Sequence, residues 1–130
     1  MAIQVPPNCD LTLGLRCLDK STLGRTRWHL HADERFANPA GVVQGGFICA
    51  AMDSAMGASA VSSVGERRVF VANTDMRVSF VRSLAVGDDL EIDATVVKSG
   101  RSLAFVEARA HDREGRLVAT ASSTYVLKER

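Results

Sequence analysis

The sequence predicts an α+β domain: one long helix of small residues wrapped by a curved antiparallel sheet of five to six strands. Three features predict it. Residues 47–64 are Ala, Ser, Gly, Met, Val, Ile and Cys with little else, which suits a helix lying close on another surface. After Gly65 the apolar residues recur at every second position, the period of strands. Turn signals at Val86-Gly87-Asp88, Ser99-Gly100 and Glu114-Gly115 divide that region, one long strand apart, as in an antiparallel meander. Long strands twist, so such a sheet curls around the helix.

Taken in order, residues 1–10 contain Pro6, Pro7 and Asn8 and read as a loose arm. Residues 9–18 hold a short helix before the first strand. Residues 23–32 are that strand, with Thr26, Trp28, Leu30 and Ala32 alternating with Arg27, His29 and His31. Residues 33–43 form a loop broken by Asn38-Pro39 and Gly41, and a helix follows over residues 46–64. Residues 68–82 form a strand with Phe70, Ala72, Met76, Val78 and Phe80 on one face, and Asn73, Asp75, Arg77 and Ser79 on the other. Leu90, Ile92, Ala94 and Val96 mark the next strand, and Ala104, Val106, Ala108 and Ala110 the one after. A last strand spans residues 116–128.

Bulk properties narrow the function. A chain of 130 residues suits one domain, residues 1–130. A net charge of +1 gives no basic field to attract nucleic acid. No basic segment and apolar stretch open the chain, so no signal peptide is expected. The most apolar run, residues 45–65, is interrupted by Asp53 and too rich in Ala, Gly and Ser for a membrane span. Cys9, Cys17 and Cys49 are an odd set without metal-type spacing, and read as reduced thiols in a cytoplasm. His29 and His31 share a strand face but lack a third ligand, so no metal site is expected.

The chemistry gathers at residues 38–53, NPAGVVQGGFICAAMD. Asp53 is the only Asp, Glu, Lys or Arg between Gly41 and Gly65. A carboxylate in such surroundings must find a partner, take up a proton or do chemistry. Helical spacing sets Cys49, Ala50, Met56 and Gly57 beside it, leaving room for a bulky group. Gly45 and Gly46 begin the helix without a Ser, Thr, Asp or Asn cap. Their amides lack helical partners and sit at the positive end of the helix dipole, an arrangement that suits an oxyanion hole. Residue by residue, plainer readings stand beside these: a structural acid at Asp53, a plain helix start at Gly45 and an ordinary Asn-Pro turn at Asn38.

The stretch Asn38, Gly41, Gln44, Gly45, Gly46, Asp53 resembles the active-site segment of hotdog-fold acyl-CoA thioesterases, in the branch of the phenylacetate-pathway enzymes. The resemblance continues through residues 73–84, 96–105 and the final strand. One position departs: Gln44 stands where the family has His, and Gln donates a hydrogen bond but carries no proton at neutral pH.

The resemblance implies hydrolysis of an acyl-CoA to a carboxylic acid and free CoA, with no cofactor. It implies Asp53 as general base or nucleophile, the Gly45 amide on the thioester oxygen, and Asn38 positioning water or substrate; Gln44 reads either as a second donor or as a side chain that only satisfies a helix-start amide. Gly46, Asn73 and Thr74 would line the substrate. Arg82, Lys98 and Arg101 would meet the CoA phosphates, although each also reads as a solvated surface charge. Family members form homodimers, often dimers of dimers, with sites between subunits. Two alternatives are a hotdog that binds acyl-CoA without catalysis and a hydratase or dehydratase. The latter pairs an acid with the His that is missing here.

Overall fold

The computed structural model describes residues 3–130. A short helix α1 (Asn8–Leu13) precedes strands β1 (Arg16–Thr22) and β2 (Arg25–His31). A 3-10 turn (Glu34–Phe36) and the long helix α2 (Gly45–Ser63) follow. Strands β3 (Val69–Phe80), β4 (Asp89–Ser99), β5 (Leu103–His111) and β6 (Leu117–Glu129) complete the chain. All six strands form one sheet in the order β1-β2-β4-β5-β6-β3, with antiparallel neighbours throughout. Helix α2 lies across it and touches β2 through β6. This is the hotdog architecture.

Small residues on both surfaces bring helix and sheet together. Ala51, Ala55 and Ala60 of α2 share one core with Ala94, Ala104, Ala108, Ala110, Ala119 and Ala121 of the sheet. Larger side chains fill the remaining space: Ile48, Met52 and Met56 from the helix, and Leu30, Leu90, Ile92 and Val106 from the strands. Burying each contributes about 1.5–3 kcal/mol. A buried polar chain fixes the helix over β2 and β4. Thr26 Oγ1 donates to the Ala55 carbonyl at 3.1 Å and lies 2.7 Å from Ser59 Oγ. Ser59 Oγ donates to the Ala94 carbonyl at 3.0 Å, and Trp28 Nε1 donates to Thr26 Oγ1 at 2.8 Å. The helix stops at Gly65, which adopts the left-handed φ of 63° that ends helices.

The structure corrects four expectations. The loose arm expected at residues 1–10 lies partly outside the described residues, and α1 begins within it at Asn8, with Asp10 buried. The first strand is β1, not residues 23–32. Every residue of β1 is exposed, so no apolar alternation marks it. A turn at Leu23-Gly24 joins it to β2, with Gly24 at φ 77°. Only β4, β5 and β6 form a consecutive meander; β3 pairs with β6 and β2 with β4, so residues 81–88 cross from one side of the sheet to the other. Finally, the register of β3 slips between Asn73 and Asp75. This bulge at Thr74 reverses the faces. Val69, Val71 and Asn73 turn toward the core and Phe70 and Ala72 away from it, while beyond the bulge Met76 and Val78 point inward.

Candidate active site

Two groups of polar residues form along α2. The first is at its N-terminus. Residues 37–43 fold back on themselves: Ala37 bridges Val43, and the Asn38 amide donates to the Val42 carbonyl at 2.7 Å. The Asn38 side-chain oxygen accepts from the amides of Ala40 at 2.9 Å and Val42 at 3.3 Å, which turns its NH2 group away from the loop. Gln44 is the N-cap, held by its own amide on the Phe36 carbonyl at 2.8 Å. Its side chain makes no capping bond and is exposed. The amides of Gly45 and Gly46 are the first of the helix and have no helical acceptor. Phe36 and Phe47 stack beneath this end, centroids 4.3 Å apart. The ring of Phe80, half exposed, lies against Gly45.

The second group surrounds Asp53, two turns further on. Asp53 Oδ1 accepts from the Tyr125 hydroxyl at 2.6 Å and from Asn73 Nδ2 at 3.0 Å. Tyr125 Oη also lies 2.9 Å from the Asp53 carbonyl. Asn73 Nδ2 is 3.2 Å from Ser123 Oγ and 3.3 Å from Tyr125 Oη. The bulge turns Asn73 inward and also orients it: its Oδ1 accepts from the Asp75 amide at 3.3 Å, which aims the NH2 group at the acid. Among the described residues Asp53 Oδ2 has no hydrogen-bond partner, and it is not among the buried unpaired atoms.

Burial and the adjoining Asp53 carboxylate hold the Tyr125 phenol well above its ordinary pKa, so it stays protonated and donates. Burial likewise pushes the Cys49 thiol up, away from the thiolate form that would make it a nucleophile.

The two groups are separate. Gly45 and Asp53 stand eight positions apart on one helix, about 12 Å along its axis. No single carbonyl reaches both within one chain.

The other expected residues divide between the ends of the molecule. Arg82 lies in the crossing segment near the helix start, where Leu84 accepts from the Val43 amide at 3.0 Å. Lys98 and Arg101 lie at the opposite end. There the Arg101 carbonyl accepts from Arg67, which also pairs with Glu129. Thr74, on the bulge, is exposed and donates to the Thr124 carbonyl at 3.1 Å. Of the residues expected to act for catalysis at Asp53, none touches it; Asn73, expected at the substrate, does. Sequence reasoning missed Tyr125 and Ser123. The available signal was the single Tyr of the chain on the inward parity of β6, where a phenol needs a partner.

His29 and His31 also find a partner outside both groups. They stand 3.0 and 3.1 Å from the same Asp89 oxygen, on the outer sheet face.

Comparison with known proteins agrees with this architecture. Residues 40–119 match the thioesterase superfamily. A Pseudomonas aeruginosa protein provisionally named an esterase is 35% identical over 98 residues, covering 75% of this chain and 72% of that one. Human acyl-coenzyme A thioesterase 13 is 25% identical over 118 residues, covering 90% and 83%. The PaaI protein of the E. coli phenylacetic acid degradation operon superposes with a TM-score of 0.86 at 17% identity, covering 92% and 83%. Gly45, Gly46 and Asp53 fall near the start of the matched region, which begins two residues after Asn38 and runs on through β3, β4 and β5 into β6. The chain is a hydrolase of the thioesterase superfamily, built on the hotdog fold.

Proposed function

We propose that this protein hydrolyses acyl-CoA thioesters, with Asp53 as the reacting acid and the Gly45 amide as the oxyanion donor. The observation that carries the reading is the state of Asp53: one carboxylate oxygen is held by two donors and the other is open. The uncapped helix start at Gly45 supports the oxyanion role, since the amide sits at the positive end of a helix of 19 residues. Gln44, exposed and free of capping duty, supplies a second donor, and the Asn38 NH2 group orients water or substrate.

The separation of about 12 Å between Gly45 and Asp53 requires a second copy. In the proposed homodimer the Asp53 of one subunit works opposite the Asn38–Gln44–Gly45 end of the other. Edge strand β3 supports this assembly: it is long, uncovered on one side, and carries Asn73 beside Asp53. Arg82, Lys98 and Arg101, from opposite ends of the fold, then contribute to phosphate binding from different subunits. A dimer of dimers and a cytoplasmic location complete the proposal.

Thiol release from aromatic and aliphatic acyl-CoAs tests the reading. Wild type turns over at least one of them, and Asp53→Asn loses about 10²-fold or more in kcat, as for a lost general base. Equal activity of the two would remove Asp53 from the mechanism. Saturable acyl-CoA binding without turnover would establish the binding protein instead.

A further inference from the structure

The hydrogen bonds around Asp53 are unequal, and the inequality assigns parts to residues outside the motif. The geometry points to Tyr125 as a positioning residue that, together with Asn73, occupies Oδ1 of Asp53 and leaves Oδ2 as the reacting oxygen. This rests on the reading of Asp53 as the reacting acid.

Three observations carry it. The Tyr125 side chain is buried on the core face of β6, only 2% exposed, so its ring cannot swing away. Its hydroxyl meets both the carboxylate, at 2.6 Å, and the main-chain carbonyl of the same residue, at 2.9 Å. With one proton to give, the hydroxyl holds the carboxylate, the nearer of the two acceptors. Asn73 approaches the same Oδ1 from β3, its amide set by the bulge. Two donors on one oxygen fill that oxygen and select one carboxylate rotamer.

With Asp53 as base, Oδ2 takes a proton from water while the water oxygen bonds to the thioester carbon. The carbon–sulfur bond then breaks, and the proton passes from Oδ2 to the CoA thiolate. With Asp53 as nucleophile, Oδ2 itself bonds to carbon and the thiolate leaves; water then adds its OH to the acyl carbon, the bond to Oδ2 breaks to release the acid, and the water's proton goes to the thiolate. Tyr125 exchanges no proton in either case.

Tyr125→Phe keeps the ring and removes the donor. Hydrogen bonds to charged groups contribute enough that kcat is expected to fall about tenfold or more. KM should stay within about threefold, because the phenol touches the acid and not the substrate. Asn73→Ala removes the other donor to Oδ1 and should lower kcat in the same way, again with little change in KM. This variant decides the matter if Tyr125→Phe fails to fold. An unchanged kcat in the folded variant, with Asp53→Asn inactive, overturns the role of Tyr125 alone. Full activity of Asp53→Asn overturns the underlying reading and this inference with it.

Discussion

Phe80 lies so close over Gly45 that a Cβ added there would come within 2.8 Å of Cζ and 3.2 Å of both Cε atoms. A side chain at the first residue of α2 therefore fits only if the half-exposed ring end shifts aside. At Gly46, one position on, an added Cβ meets nothing within 4 Å. Because the half-exposed ring end can move, Gly45→Ala is expected to cost no more than about 1 kcal/mol, the low end of the range for overpacking, and to lower turnover. Gly46→Ala should change stability by no more than about 0.5 kcal/mol. Phe80→Ala added to Gly45→Ala should recover much of the lost stability, because the two positions share one contact. Thermal unfolding of the three variants checks this.

Gly57, in the middle of α2, behaves differently. An added Cβ would sit 3.6 Å from Tyr125 Cε1 and 3.7 Å from Val71 Cγ2, ordinary contact distances. Glycine in a helix interior costs about 0.5–1 kcal/mol relative to alanine. Gly57→Ala should therefore raise the unfolding midpoint in urea. A lowered midpoint would mean that Tyr125 or Val71 has no freedom to accept the methyl.

Ser59 sits fully buried between α2 and the sheet, donating to the Ala94 carbonyl and touching Thr26. Ser59→Ala takes the hydroxyl donor from the Ala94 carbonyl where water does not reach, while Thr26 keeps the Ala55 carbonyl and Trp28. An unsatisfied buried polar group costs about 1–3 kcal/mol. The loss should appear as an earlier urea transition with an unchanged slope.

The outer sheet face has its own pH response. His31, His29 and Arg113 donate to the Asp89 carboxylate and lower its pKa from 3.8 to about 2. A carboxyl depressed in the folded state binds fewer protons there than in the unfolded chain, so its stabilisation is present above pH 3.8 and lost as pH falls toward 2. Asp89 is partly exposed, and salt should weaken the effect. In denaturant titrations at pH 4.5 and 2.5, Asp89→Asn is expected to lose less stability between the two than wild type does. Equal losses would assign the acid sensitivity to other carboxylates.

Legibility in the sequence followed burial. The strand positions Thr26, Trp28, Leu30, Leu90, Ile92, Ala94, Val106 and Ala108 read correctly because each alternates cleanly with polar neighbours. Helix α2 read to within one residue at each end, since its composition and Gly65 bound it. Strand β1 was invisible because it is an exposed edge whose residues face water on both sides. The Thr74 bulge defeated the reading of β3 by shifting the parity halfway along, a backbone event with no required residue type. The partners of Asp53 were hidden by distance along the chain. Asn73 and Tyr125 lie 20 and 72 positions from it, and the β3·β6 pairing that unites them skips two strands. The motif residues Asn38, Gln44 and Gly45 were legible because they are local.

That skipped pairing sets a problem of timing in synthesis. Strand β3 is made before β4 and β5, yet among the described residues its one neighbour in the sheet is β6, the last strand to be made. Until β6 emerges from the ribosome, twelve residues carrying Val69, Val71, Met76 and Val78 have no strand on either side. Bare strand edges invite contact with other chains. The nascent protein thus has its greatest need of chaperone protection in the interval between β3 and β6. Substitutions that weaken β6 should reduce the yield of soluble protein more than their effect on the finished fold would suggest.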